Sequence, residues 1–292
     1  MRKGHDTMKS QTAMEYLITY GWAILIISVV IAALFMLNVF NPATFSQKAA
    51  PGSCSVYRPD GAGTVFDIST VGTCTNEIPQ YVASFDGQTS NITIGQPVIV
   101  GKSSVTYALW IYPSNVPSGT ATVATTEPYN LAQGESMNIN QPGGMNVNYW
   151  VNIGGTWYSA ECCNLKLNQW YFIAGTYNGN NISVYVDGVS ENSIALTGNI
   201  TQPTGYGYIG SFGPINHFPG EIANVQIYNS ALPESEIEDL YKNGIGGDPI
   251  DIKNLVGWWQ LDGNANDYGG NGYNGTGQGV TYISNWENSY ST

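Results

Sequence analysis

The chain has 292 residues, of which 10% are charged and 12% aromatic, with 35 glycines, 20 tyrosines and a formal net charge of −12. No basic patch is present to release the counterions of a nucleic acid, which excludes that partner. The wealth of tyrosine, tryptophan and β-branched residues excludes a disordered chain.

Residues 1–10 form a short basic leader, with Arg2, Lys3 and Lys9 against Asp6. An uncharged run follows at 16–40, broken only by Gly21 and ended by Asn38, Asn41 and Pro42. At ~1.5 Å per residue such a run, if helical, is long enough to cross a ~30 Å hydrocarbon core. The positive leader would keep the N-terminus cytoplasmic and put everything after Phe40 outside the cell. The run is too long for the apolar core of a secretory signal. Glu15 enters it near the start, where a helix dipole favours a carboxylate; an interfacial carboxylate at headgroup level is the plainer reading.

The stretch from Ser10 to Leu17 resembles the processing site of archaeal type IV pilin-like proteins with class III signal peptides. That resemblance implies a cut between Ser10 and Gln11, with the helix at 11–40 retained. It also implies assembly through Glu15, paired with the free amine of Gln11 on a neighbouring subunit. The chain would be membrane-inserted as a precursor and then a self-assembled filament at the cell surface. A plain uncut membrane anchor is the competing reading.

A linker is expected at 41–53 and a cysteine-stapled segment at 54–79. All four cysteines follow the apolar run, where the expected topology lets disulfides persist. Cys54 with Cys74 would enclose a turn-rich excursion. Cys162 and Cys163 are then left over; adjacent Cα atoms sit closer than disulfides usually span, so crossed pairings stay open. Asn91, Asn181, Asn199 and Asn274 each begin an N-glycan acceptor sequon.

Short strands are expected at 81–85, 105–112, 170–177, 182–186, 206–209 and 222–228. The strand at 105–112 is apolar or aromatic on both parities, as in a strand covered on two sides. Asn178-Gly179 and Asp187-Gly188 read as type I′ hairpin turns. A short helix from Pro233 to about Lys242 is marked by its leading proline, early acids, late Lys242 and Gly244 beyond. Trp110, Trp150, Trp157 and Trp170 lie in strand-like runs and read as core.

Residues 170–188 and 220–232 resemble the central hairpin and closing strand of laminin G-like (concanavalin A-like) jelly-roll domains. Residues 255–263 and 280–283 are similar to that family's opening strands, yet lie at the C-terminus. The expected fold is therefore an all-β jelly-roll sandwich over 80–292, circularly permuted so that the C-terminal strands complete the sheet, preceded by one long N-terminal hydrophobic α-helix. Completion of a neighbouring subunit is the alternative. The resemblance implies Ca²⁺ near the rim, with Asp86, Asp267 and Asn271 as the nearest oxygen ligands, although Ala223 stands where the family often has an acid. No cofactor is expected to be required.

Glucanases of related fold place paired carboxylates along one strand. Here the densest acids, Glu234, Glu236, Glu238 and Asp239, fall on the expected helix as a solvated face, and the only histidines are His5 and His217. No enzyme is expected. The expected function is a structural subunit of a pilus-like surface filament carrying an adhesive jelly-roll head. The alternative is a membrane-anchored, lectin-like adhesin that binds glycans and does not polymerise.

Overall fold

The computed structural model describes residues 25–30, 55–57, 65–67, 79–140 and 144–286. Residues 25–30 are helical and exposed. Among the described residues no helix is long and apolar enough to cross a membrane. Ser10, Gln11, Glu15, Cys54 and Cys74 lie outside the described residues. Strands β1 (Ser55–Tyr57) and β2 (Val65–Asp67) pair antiparallel as a two-stranded sheet.

From residue 79 onward two antiparallel sheets pack face to face. The first sheet joins β3 (Val82–Asp86), β5 (Val105–Pro113), β10 (Tyr171–Tyr177), β11 (Asn181–Val186), β12 (Val189–Ala195), β14 (Pro219–Tyr228), β15 (Leu255–Trp259) and β17 (Thr281–Ile283). The second runs in the order β16 (Gly275–Gln278), β4 (Asn91–Ile94), β13 (Tyr208–Ile209), β6 (Ala121–Thr125), β7 (Glu135–Asn140), β8 (Asn146–Ile153), β9 (Thr156–Asn164).

β5 shows why the first sheet is buried on both sides. Val105, Tyr107, Leu109 and Ile111 face the core between the sheets. Ala108, Trp110 and Tyr112 alternate with them and face a second apolar layer. That layer is closed by the helix Glu234–Asn243, whose Ile237 and Leu240 are buried. Tyr241 stacks on Trp110 with ring centroids 5.7 Å apart. The acids on this helix do not form a cleft; Glu238 pairs with Lys242 one turn on, in solvent.

The C-terminal strands complete the sandwich of their own chain. β17 pairs with β3, Ile283 opposite Val82, while β16 pairs with β4 and β15 with β14. A bulge at Asn224, with φ 51°, lets β14 pair with β3 over its first half and with β15 over its second.

The hairpin turns divide. Asp187-Gly188 is a two-residue turn with both φ values positive, 49° and 81°, joining Val186 to its partner Val189. The Asn178-Gly179 turn is not type I′. Only Gly179 has a positive φ, and within the four residues between the partners Tyr177 and Ile182 the Asn178 Oδ1 accepts from the backbone N–H of both Asn180 and Asn181.

Candidate functional site

On the second sheet, Val147, Tyr149 and Val151 of β8 point into the core with Met137 and Ile139 of β7. The intervening residues face the other way. On that outer face the register sets Thr122 opposite Asn138 opposite Asn148, Ser136 opposite Trp150, and Asn152 opposite Trp157. Trp150 and Trp157 are thus diagonal neighbours on adjacent strands, within reach of one ligand.

Of these residues, Thr122, Ser136, Asn138, Trp150 and Trp157 line a groove of about 180 Å³. Thr122, Ser136 and Asn138 lie along β6 and β7, with Trp150 and Trp157 to one side and Phe212 and Asn216 to the other. The loop that carries Phe212 and Asn216 is tied to β6 by the Thr122 N–H, which donates to the Asn216 carbonyl at 2.8 Å. Phe212 is held edge-on against Tyr129 with centroids 5.4 Å apart.

The polar groups of the groove are oriented by one another. Asn138 Oδ1 accepts from Thr122 Oγ1 at 2.7 Å and from Ser136 Oγ at 3.1 Å. Its Nδ2 is left to donate outward. Asn140 Oδ1 is buried without a partner, a group that calls for water or a ligand hydroxyl. Among the described residues the single titratable group lining the groove is Glu127, whose carboxyl burial pushes up to about 8. At neutral pH it therefore carries its proton and can donate.

Glu135, close by in sequence, belongs to the interior. It is fully buried, is pushed up to about 7 by that burial, and accepts from Thr126 Oγ1 at 2.6 Å. The Tyr149 hydroxyl is buried without a partner, and the Tyr107 hydroxyl lies against Glu135 and Thr126.

The tryptophans separate into two kinds. Trp110 and Trp170 are buried, as expected of core. Trp150 and Trp157 are only half-buried and line the groove, a correction to their reading as core. Parity was the available signal: Trp150 shares its face with Asn146, Asn148 and Asn152, not with the valines.

The residues named for Ca²⁺ do not come together. Asp86 pairs with Pro219 at one end of β14, whereas Asp267 binds the N–H of Trp258, which pairs with Gln226 toward the other. That separation is on the order of 20 Å at ~3.3 Å per residue. Asp86 Oδ1 accepts from the N–H groups of Gln88, Thr89 and Ser90 and from Ser90 Oγ, and Oδ2 accepts from Thr89 Oγ1. Burial pushes this carboxyl up, but the donated hydrogen bonds outweigh it and hold the group well below the usual carboxylate range. Asp267 likewise accepts from Trp258, Gly269 and Tyr273 N–H groups, and Asn271 Nδ2 donates to the Val256 carbonyl. Carboxylates surrounded by donors in this way organise turns and do not fit a cation.

Cys162 and Cys163 are joined to each other as a vicinal disulfide, so the crossed pairings are not formed. Cys163, with φ 55°, sits where the β8–β9 register shifts. Of the sequon asparagines, Asn199 and Asn274 are exposed and Asn181 is half-buried. Asn91 is buried on β4, its Nδ2 donating to the Thr89 carbonyl.

Comparison with solved structures finds the same fold. A putative carbohydrate binding protein from Bacteroides ovatus superposes with a TM-score of 0.56 at 20% identity, over 76% of this chain and 66% of that one. A native heptameric SAP-like pentraxin from Limulus polyphemus superposes with a TM-score of 0.51 at 18% identity, over 72% of this chain and 96% of that one. The chain thus spans about two thirds of the length of the first of these. No curated protein matches the sequence. A family model described as the concanavalin A-like lectin/glucanases superfamily matches residues 86–238, from the last residue of β3 into the helix that closes the second apolar layer, and the chain belongs to that superfamily.

Proposed function

We propose that this protein is a lectin-like, glycan-binding protein and that the outer face of β6–β9 is its binding surface. One observation carries the reading: two half-buried tryptophans on adjacent strands flank a row of amide and hydroxyl groups that includes Asn140 Oδ1, buried without a partner. Aromatic faces stack on the apolar faces of sugar rings, and oriented amides pair with ring hydroxyls. The likeness to a carbohydrate-binding protein supports the fold on which such a site is built.

Binding without catalysis is the simpler chemistry here. Glycoside hydrolysis uses a pair of carboxyl groups across the scissile bond, and among the described residues the groove has Glu127 alone. The reading requires no cofactor. The test is binding of the full-length chain to a printed glycan array, with Trp150→Ala and Trp157→Ala as controls. Binding that both substitutions weaken at least tenfold supports the reading; binding indifferent to both removes this face from it.

Display at the cell surface is supported by the N-terminal sequence, where a basic leader precedes an uncharged run. In the anchored form, that run holds a non-polymerising adhesin in the membrane. In the filament form, favoured by the pilin-like stretch from Ser10 to Leu17, cleavage before Gln11 leaves a helix that assembles through Glu15. The mass of the mature N-terminus separates them: a start at Gln11 supports the filament, and a start at Met1 the anchor. In either form the sandwich is read as a circularly permuted laminin G-like jelly roll.

A further inference from the structure

The class of sugar follows from the charges around the groove, an inference that rests on the glycan-binding reading. Of the described lining residues only Glu127 can ionise, and no lysine, arginine or histidine is among them. Glu127 is neutral when protonated and negative when not, so neither state offers an anion a positive charge. Acidic sugars carry a carboxylate or sulfate that, once desolvated, needs a cation or several charge-assisted donors. The net charge of −12 adds a repulsion that acts within a Debye length of the surface.

What the groove does offer suits hydroxyls. Asn138 Nδ2 is a donor, Asn140 Oδ1 is an acceptor buried without a partner, and Glu127 in its protonated form is a second donor. A sugar hydroxyl both donates and accepts, so a neutral ring can satisfy all of them. The groove volume of about 180 Å³ lies below the ~300 Å³ at which sites for drug-sized ligands begin and matches roughly one ring seated within it.

We propose that the groove seats one uncharged sugar ring against Trp150 and Trp157 and rejects rings bearing a carboxylate or sulfate. The test presents the full-length chain with neutral hexose and N-acetylhexosamine glycans beside their sialylated, uronate and sulfated counterparts. Neutral members should bind at least tenfold more strongly, and Trp150→Ala and Trp157→Ala should each abolish that margin while the melting temperature holds. Glu127→Lys, folded by circular dichroism, should raise binding of the acidic members at least fivefold. Tryptophan-dependent binding of acidic members as strong as that of neutral ones overturns the proposal and leaves the glycan-binding reading standing, as does a folded Glu127→Lys that gains nothing. Absence of binding to every member, or binding that ignores both tryptophan substitutions, overturns the reading itself.

Discussion

Thr122 Oγ1 donates to Asn138 Oδ1 at 2.7 Å, across a ladder in which the two residues are direct partners. With Ser136 Oγ on the same oxygen, the bond fixes which end of the amide meets a ligand. Asn138→Asp replaces the outward donor by an acceptor and should weaken glycan binding about tenfold, near 1.4 kcal/mol. Thr122→Val frees the amide to flip and should cost less, roughly threefold. Titration calorimetry with a glycan that the unaltered chain binds measures both, and equal affinity in all three proteins would show that the amide takes no part.

Gly175 lies on β10 directly beneath the ring of Tyr149. A Cβ at this position would come within 2.2 Å of that ring, and the ring is held in the core between the sheets. Gly175→Ala should therefore destabilise the sandwich by about 1–3 kcal/mol through overpacking. Urea denaturation gives the number, and a midpoint within error of the unaltered chain would mean that Tyr149 can move aside.

Stability should fall as pH rises through neutrality. Burial raises the folded-state pKa of Glu127 to about 8, of Glu135 and Glu221 to about 7, and of Asp187 to about 6. Between about pH 4.5 and 8 the folded chain holds protons that the unfolded chain has released, so unfolding becomes easier with each step of pH. Asp86 acts in the opposite sense: its folded pKa is lowered, so its contribution is present above 3.8 and is lost as pH falls further. The melting temperature should peak near about pH 4–5 and decline toward 8, with Glu135→Gln flattening the decline. A melting temperature that climbs from pH 5 to 8 contradicts this account.

The framework of the first sheet was open to reading because its signals are local or one-sided. β5 is apolar on both parities, Asp187-Gly188 needs two positive φ values, and the helix Glu234–Asn243 carries its own start and stop. The groove was harder to see. Its strands β6 to β9 are rich in Thr, Asn and Ser, and β8 places aromatic rings on both parities, Tyr149 inward and Trp150 outward, so alternation did not distinguish core from surface. Asp86 and Asp267 show the opposite difficulty. Their types suit a cation, but whether a carboxylate is consumed by backbone N–H groups depends on a loop path that composition does not encode.

Trp286 shows what the C-terminal segment contributes. Its side chain is buried, its indole N–H donates to the Pro79 carbonyl at 3.1 Å, and its ring meets Trp170 edge-on with centroids 6.1 Å apart. It thus fastens the residues after β17 to those before β3, beside the ladder that those two strands form. Trp286→Ala removes the packed ring and leaves a cavity in the layer under the helix, which should cost about 3–5 kcal/mol. Trp286→Phe keeps most of the apolar volume and loses the hydrogen bond, so it should cost roughly 1–2 kcal/mol. Both follow from denaturant midpoints of the full chain. If the alanine variant lost less than the phenylalanine variant, the segment would be a passive tail, and the closure of the sheet by β17 would have to rest on its backbone pairing alone.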